Sequence, residues 1–260
     1  MAMDIRDNAA KYYDYWPPPF DDITFYKEHI PSPDASVLEL GCGTGRVLIP
    51  LAGCCSYIHG LDCSEAMLAI CRQKLERAGI SEDKAKIEAT DITNFDLGGR
   101  FDLIIAPYRV FQNLETETEI DGLFRCVRKH LTSKGSCILN VFNPNISPDG
   151  LRREWAKRQE KFHGEVFVES TRITYHDRWA EMNSEKLILY PELIFRTYEG
   201  DVLKHEEVLK IPMRCYYPDE FDKVIVNHGF EIINRWGGYA NEPHGEGEEL
   251  VIQFVHGESF

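Results

Sequence analysis

Short apolar runs alternate with segments of helical spacing over the first half of this 260-residue chain. "ASVLELG" (35–41) and "FDLIIAP" (101–107) are short, apolar runs without polar alternation. That is the pattern of strands covered on both faces. "SYIHGLD" (56–62), "KAKIEATD" (84–91) and "GSCILNVFN" (135–143) read as three further strands. Segments with helical spacing lie between them. They are "RVLIPLAG" (46–53), "SEAMLAICRQKLERAG" (64–79), with Ser64 as N-cap and Gly79 near its C-cap, and "ETEIDGLFRCVRKHLTSKG" (117–135), ending at a glycine. An amphipathic piece at about 21–30 precedes the first strand. Strands alternating with helices predict a parallel sheet with helices on both faces.

The pattern changes after about residue 160. "EVFVESTRITYHDRW", "KLILYPELIFRTY" and "DVLKHEEVLKIPM" are strand-like, and "EGD" joins the last two as a hairpin turn. In the middle run Leu187, Leu189, Leu193 and Phe195 share one face, and Lys186, Tyr190, Glu192 and Arg196 the other. An antiparallel sheet with one covered face follows. "PDEFDKVIVNHGF" then reads as a helix ending at Gly229, with "EIINRWGG" and "ELVIQFVH" as a closing antiparallel pair. The expected fold is α/β: a Rossmann-like, seven-stranded, mostly parallel sheet with helices on both faces, plus a small antiparallel β insertion after strand five. Its expected parts are an N-terminal arm or lid (1–30), a core (31–146 and 215–260) and the insertion (147–214).

Charge narrows the partners. The formal net charge is −14, from 43 acidic and 29 basic residues. Such a surface repels nucleic acid, whose phosphates need Lys and Arg. The one basic cluster, "RREWAKRQEK" (152–161), is interleaved with Glu154 and Glu160 and reads as a solvated helix face. Eight cysteines include no Cys-x-x-Cys pair, so they read as free thiols of a reducing compartment. No signal-peptide pattern and no apolar run of membrane-spanning length occurs, so the expected location is the cytoplasm, away from the membrane. Nine scattered histidines lack H-x-x-x-H spacing, and no metal is expected.

The chemistry concentrates in "VLELGCGTGRVLIPLA" (37–52). Alternate glycines let the backbone turn and approach a ligand closely. A dinucleotide fingerprint, G-x-G-x-x-G/A, needs a small third residue, and Arg46 stands there. The pattern E/D-x-G-x-G-x-G is matched in full by Glu39, Gly41, Gly43 and Gly45. This resembles motif I of class I S-adenosylmethionine methyltransferases. Asp62 at the end of strand two, Asp91 after strand three and "IAPYR" after strand four fall where that family has its further motifs. The resemblance is closest to amino-sugar N,N-dimethyltransferases and more distant to glycine N-methyltransferases. It covers 12–143 well and 215–256 loosely.

The resemblance implies S-adenosylmethionine as cofactor and S-adenosylhomocysteine as product. It implies cofactor contacts at Tyr13, Tyr26, Glu39, Gly41, Cys42, Gly43, Thr44, Gly45, Asp62, Cys63, Met67, Asp91, Ile92, Pro107 and Tyr108. Glu39 suits the ammonium, Asp62 the ribose hydroxyls and Asp91 the adenine amino group. Substrate-binding candidates are Tyr13, Arg109, Asn143 and Tyr190. No residue announces itself as a general base. His176 and Asp177, adjacent on a strand, point to opposite faces. The expected activity is methyl transfer to a small-molecule acceptor, an amine nitrogen by resemblance. Oxygen or carbon acceptors, and a cofactor-binding module without turnover, remain open. A homodimer is compatible with this reading. Adenine methyltransferases place a polar residue before Pro-Pro and an aromatic, whereas Ala106 precedes a single proline here.

"YYDYWPPPF" (12–20) has five aromatics and three prolines. In the resembling enzymes a "YD" element folds over the cofactor, so Tyr13 and Asp14 are expected in a lid with the prolines as a stiff elbow.

Overall fold

The structure is a computed structural model and describes residues 10–257. Residues 1–9 of the expected arm and 258–260 lie outside the described residues. The main sheet contains β1 (Ser36–Leu40), β2 (Tyr57–Asp62), β3 (Ala85–Ala89), β4 (Phe101–Ala106), β5 (Leu131–Phe142), β11 (Phe230–Trp236) and β12 (Glu249–His256). Their order is β11-β12-β5-β4-β1-β2-β3. The five central and edge strands from β5 to β3 run parallel, and β12 runs antiparallel between β5 and β11. The strand order reverses at β1, which lies between β2 and β4. The crevice at the carboxyl ends of β1 and β4 is therefore the switch point where such sheets bind ligands.

Helices cover both faces. α1 (Asp22–Glu28), α2 (Leu48–Ala52) and α3 (Glu65–Arg77) lie on one side, and α4 (Glu117–His130) and α6 (Pro218–Asn227) on the other. Phe25, Leu48, Leu51, Leu68 and Cys71 pack with Val37, Leu103 and Ile105. Ile120, Phe124, Phe221 and Ile225 pack with Leu38, Ile104 and Leu139. Alternate residues of one strand thus feed two cores, which explains the unbroken apolar runs. Full burial of each such side chain contributes roughly 1.5–3 kcal/mol. Ser64 caps α3 by accepting from the Met67 amide at 3.2 Å, and Gly79 follows in the left-handed region at φ 67°. α4 begins with a Thr116–Glu119 capping box. It stops at His130 rather than at Gly135, because β5 starts at once and takes the glycine inside the strand.

The second sheet holds β6 (Glu160–Val168), β7 (Thr171–Asn183), β8 (Ile188–Glu199), β9 (Val202–Lys210) and β10 (Met213–Arg214), all antiparallel. It follows β5 through α5 (Pro148–Trp155). The expected single run 165–179 is two strands. Glu169 at φ 54° makes the turn, a left-handed position without the glycine that usually signals one. The basic cluster is also not one solvated helix. α5 ends at Trp155, which is buried against Trp179 with rings 5.3 Å apart, and residues 160–161 belong to β6.

Candidate active site

β1 ends at Leu40, and the chain turns through Gly41, Gly43 and Gly45, all with left-handed φ between 53° and 81°. Two of them are also packed tight. A Cβ on Gly41 would lie 2.5 Å from Val110, and one on Gly45 2.6 Å from Cys71. A Cβ on Gly43 would meet nothing within 4 Å. The outer glycines therefore fit the loop to the protein, and the middle one presents bare backbone to the crevice.

Two carboxylates flank this loop. Asp62, at the end of β2, accepts from the Gly43 amide at 2.8 Å and the Ser64 amide at 2.9 Å. It ties the loop to the start of α3 and sits at the carboxyl edge of the sheet. Glu39 is 2% exposed, and its Oε2 is buried without a hydrogen-bond partner among the described residues. Burial raises its pKa well above the usual carboxylate range. A buried, unpaired carboxylate is costly, and an arriving cation would offset that cost. The donor set fits S-adenosylmethionine: Glu39 for an ammonium, Gly43 for close backbone approach and Asp62 for hydroxyls. Asp91, exposed after β3, accepts from the amide and hydroxyl of Thr93, both at 2.8 Å, and Ile92 beside it is half-buried. Cys42 and Met67 are buried, and Cys63 is exposed.

The arm closes over the loop. Asp14 accepts from the Thr44 hydroxyl at 2.8 Å and pairs with Lys74 of α3 at 2.6 Å. Tyr13 is hydrogen-bonded to Arg46, and burial raises its pKa. Arg46 in turn makes a bidentate pair with buried Asp22, at 2.6 and 2.7 Å, and lies over the Tyr108 ring. Phe20 packs on Tyr108 and Tyr239. Tyr12 and Trp16 turn the other way, against Phe195 and Tyr175 of the second sheet. The arm thus bridges the glycine loop and the insertion. Tyr26 is fully buried beside Tyr239, their hydroxyls 3.4 Å apart, with Glu39 and Asp22 close enough to raise its pKa further.

Pro107 is buried at the end of β4, and Tyr108 and Arg109 both hold left-handed backbone, φ 54° and 67°. Such strain in two successive non-glycine residues persists where the surroundings fix it. Here the Arg109 amide donates to Asn140 at 3.0 Å, and its guanidinium pairs with buried Glu249, which also accepts from Asn140 at 2.8 Å. Arg109 is therefore spent on Glu249. Asn143 is likewise committed, donating to Asn145 at 2.8 Å and to the Gly245 and Gly247 carbonyls at 3.0 Å. Tyr190 donates to Glu115 at 2.5 Å, and that bond pushes its pKa up to about 12. It sits with Trp155 and Met182 at the end of the second sheet away from Trp16. Tyr13 stands beside the loop through Arg46, and Arg109 precedes Val110, which packs on Gly41. Sequence reasoning missed Asp22, Phe20, Tyr175, Tyr239 and Glu249, and it used Arg46 only to argue against a dinucleotide. The pairs involved are far apart in the chain, by 24 residues for Asp22 and Arg46, 140 for Arg109 and Glu249 and 213 for Tyr26 and Tyr239, so no local pattern marks them.

Residues 37–135 match the family model described as a methyltransferase domain. The chain carries a methyltransferase domain. It is 23% identical over 245 residues to the Bacillus subtilis protein YqeM, a methyltransferase by assignment, with 90% of each chain covered. It is 28% identical over 143 residues to the dTDP-3-amino-3,6-dideoxy-alpha-D-glucopyranose N,N-dimethyltransferase of Streptomyces fradiae, covering 54% of this chain and 53% of that one. Its fold is similar to that of the CcbJ methyltransferase from Streptomyces caelestis, with a TM-score of 0.78, 23% identity and 98% of each chain covered. No helix among the described residues is long and apolar enough to cross a membrane.

Proposed function

We propose that the protein is an S-adenosylmethionine-dependent methyltransferase whose acceptor is the amine nitrogen of a small molecule. The observation that carries the cofactor half is the orphaned carboxylate of Glu39 beside a bare glycine and Asp62. S-adenosylmethionine supplies an activated methyl group on a sulfonium. The chain's own residues orient the reactants and exclude water. Tyr13, Phe20 and Tyr108 wall the crevice, and Asp14 latches the arm to Thr44. Orientation of this kind accounts for about 7–11 kcal/mol of a barrier in favourable systems.

Two things support an amine. The Streptomyces fradiae relative is named for an amino-sugar substrate. The crevice is also walled by Tyr13 and Tyr108, whose ring faces attract cations. The test is methyl transfer from labelled S-adenosylmethionine to a panel of amines, amino sugars and their hydroxyl counterparts. Label on amines and not on the matched alcohols is expected. Transfer to alcohols alone would replace the acceptor, and no transfer to either would overturn the reading.

A further inference from the structure

Resting on that reading, we propose that His163, held by Asp177, accepts the proton that the acceptor's ammonium must lose. The two residues belong to neighbouring strands of the second sheet, β6 and β7. The pairing register shifts between Phe162 and Gly164, a β-bulge that sets His163 outside the ordinary ladder. Bulges re-aim side chains and concentrate beside active sites. Here the bulge brings His163 Nε2 to 3.2 Å from Asp177 Oδ2. Asp177 does not pair with its sequence neighbour His176, which contacts Glu160 and Thr174 instead.

Asp177 lies on the face that the arm meets, and His163 beside it is open to solvent. Ile173, Tyr175 and Asp177 alternate onto one side of β7, and Ile173 and Tyr175 pack there with Trp16, Phe195 and Tyr12. The His163 ring stacks on Tyr175 at 5.0 Å, and Trp16 lies against Gly164, the next residue. The arm that carries Trp16 also reaches the glycine loop, through Asp14 on Thr44 and Tyr13 on Arg46. The arm therefore links the face of the dyad to the crevice. Asp177 Oδ1 is buried with no hydrogen-bond partner among the described residues. A carboxylate 3.2 Å from Nε2 stabilises the imidazolium that forms once Nδ1 has taken a proton. The step balances simply. The Nδ1 lone pair takes a proton from the acceptor's ammonium, and the N–H electron pair stays on the amine nitrogen. That pair is then available to the methyl group, and the imidazolium later returns its proton to water.

The groups facing His163 are Asp177 and Tyr175 on β7, with His176 near enough to feel its charge and Trp16 uncharged on the arm. The experiment compares wild type, His163→Gln and Asp177→Asn. It reads kcat and KM for an amine accepted in the panel above, each from pH 6 to 10, and follows imidazole ¹⁵N shifts in the cofactor-free protein. For His163→Gln a fall in kcat of roughly 10²-fold near pH 7 is expected, at the lower end of general-base effects. KM for the cofactor should be unchanged, and the deficit should shrink at high pH where the amine sheds its own proton. Asp177→Asn should lose less than His163→Gln. Kinetics and pH profile unchanged in His163→Gln, with wild type active on amines, would overturn the dyad alone. Wild type inert towards every amine would overturn both this role and the amine reading.

Discussion

The glycine-loop end of the main sheet and the covered face of the second sheet meet the same arm, yet they are built by different means. At the loop the chemistry is contiguous: Glu39, Gly41, Gly43 and Gly45 lie within seven residues, and backbone conformation places them. On the second sheet it is assembled across strands. A bulge and a register bring His163 to Asp177, and Tyr175 to Phe195. The contrast extends to buried carboxylates within the main sheet. Glu39 and Glu249 are each 2% exposed, and burial raises both. Glu249 is answered by Arg109 and Asn140, whereas Oε2 of Glu39 is answered by nothing described. One carboxylate is tied into the architecture, and the other keeps a buried oxygen without a partner.

Substitutions should separate these roles. The largest effect is expected for Asp62→Ala, which removes an acceptor for ligand hydroxyls and the tie to the Gly43 amide. Cofactor affinity should fall roughly 10²–10³-fold, from about 1.5–3 kcal/mol for each bond to a charged group. Calorimetry reads this, and an unchanged affinity would place the ligand elsewhere. Arg109→Met should act on stability instead, by about 3 kcal/mol in chemical denaturation, because it strands Glu249 in the interior. Its cofactor affinity should stay within a few-fold of wild type if Arg109 is architectural.

Glu39→Gln should run the other way. The folded pKa of Glu39 lies above its ordinary value of 4.5, so the folded protein holds a proton that the unfolded chain has released. Stability therefore falls as pH rises from about the ordinary value through the raised one, and it stays lower above that window. The glutamine variant should lack this loss and melt higher than wild type at neutral pH. A lower melting temperature there would mean that Glu39 has a partner in the free protein. The smallest effect is expected for Tyr13→Phe, which removes one hydroxyl hydrogen bond to Arg46 and leaves that guanidinium its bidentate pair with Asp22. A few-fold loss of cofactor affinity with an intact fold would keep Tyr13 in the lid. Unchanged binding and turnover would return it to packing.

The sheet, its helices and the closing antiparallel pair were legible because strand burial on two faces leaves an apolar signature. The glycine loop was legible because left-handed positions at φ 53° to 81° favour glycine, and Val110 and Cys71 leave no room for a Cβ at two of them. The partners of the substrate candidates were not. Arg109 and Asn143 occupy positions that the motif order fixes, but their partners, Glu249 and the Gly245–Gly247 carbonyls, come from the far end of the chain. His163 carries no local signal at all, since only the bulge at Phe162–Gly164 turns it towards Asp177.

The central claim is that Glu39 receives the ammonium of S-adenosylmethionine at this loop. Calorimetric titration of wild type and Glu39→Gln, in two buffers of different ionisation enthalpy, tests it most directly. The account predicts binding by wild type with release of a proton wherever Glu39 starts protonated, and at least tenfold weaker binding without that proton in the variant. Equal affinity and equal proton uptake in the two proteins would contradict it.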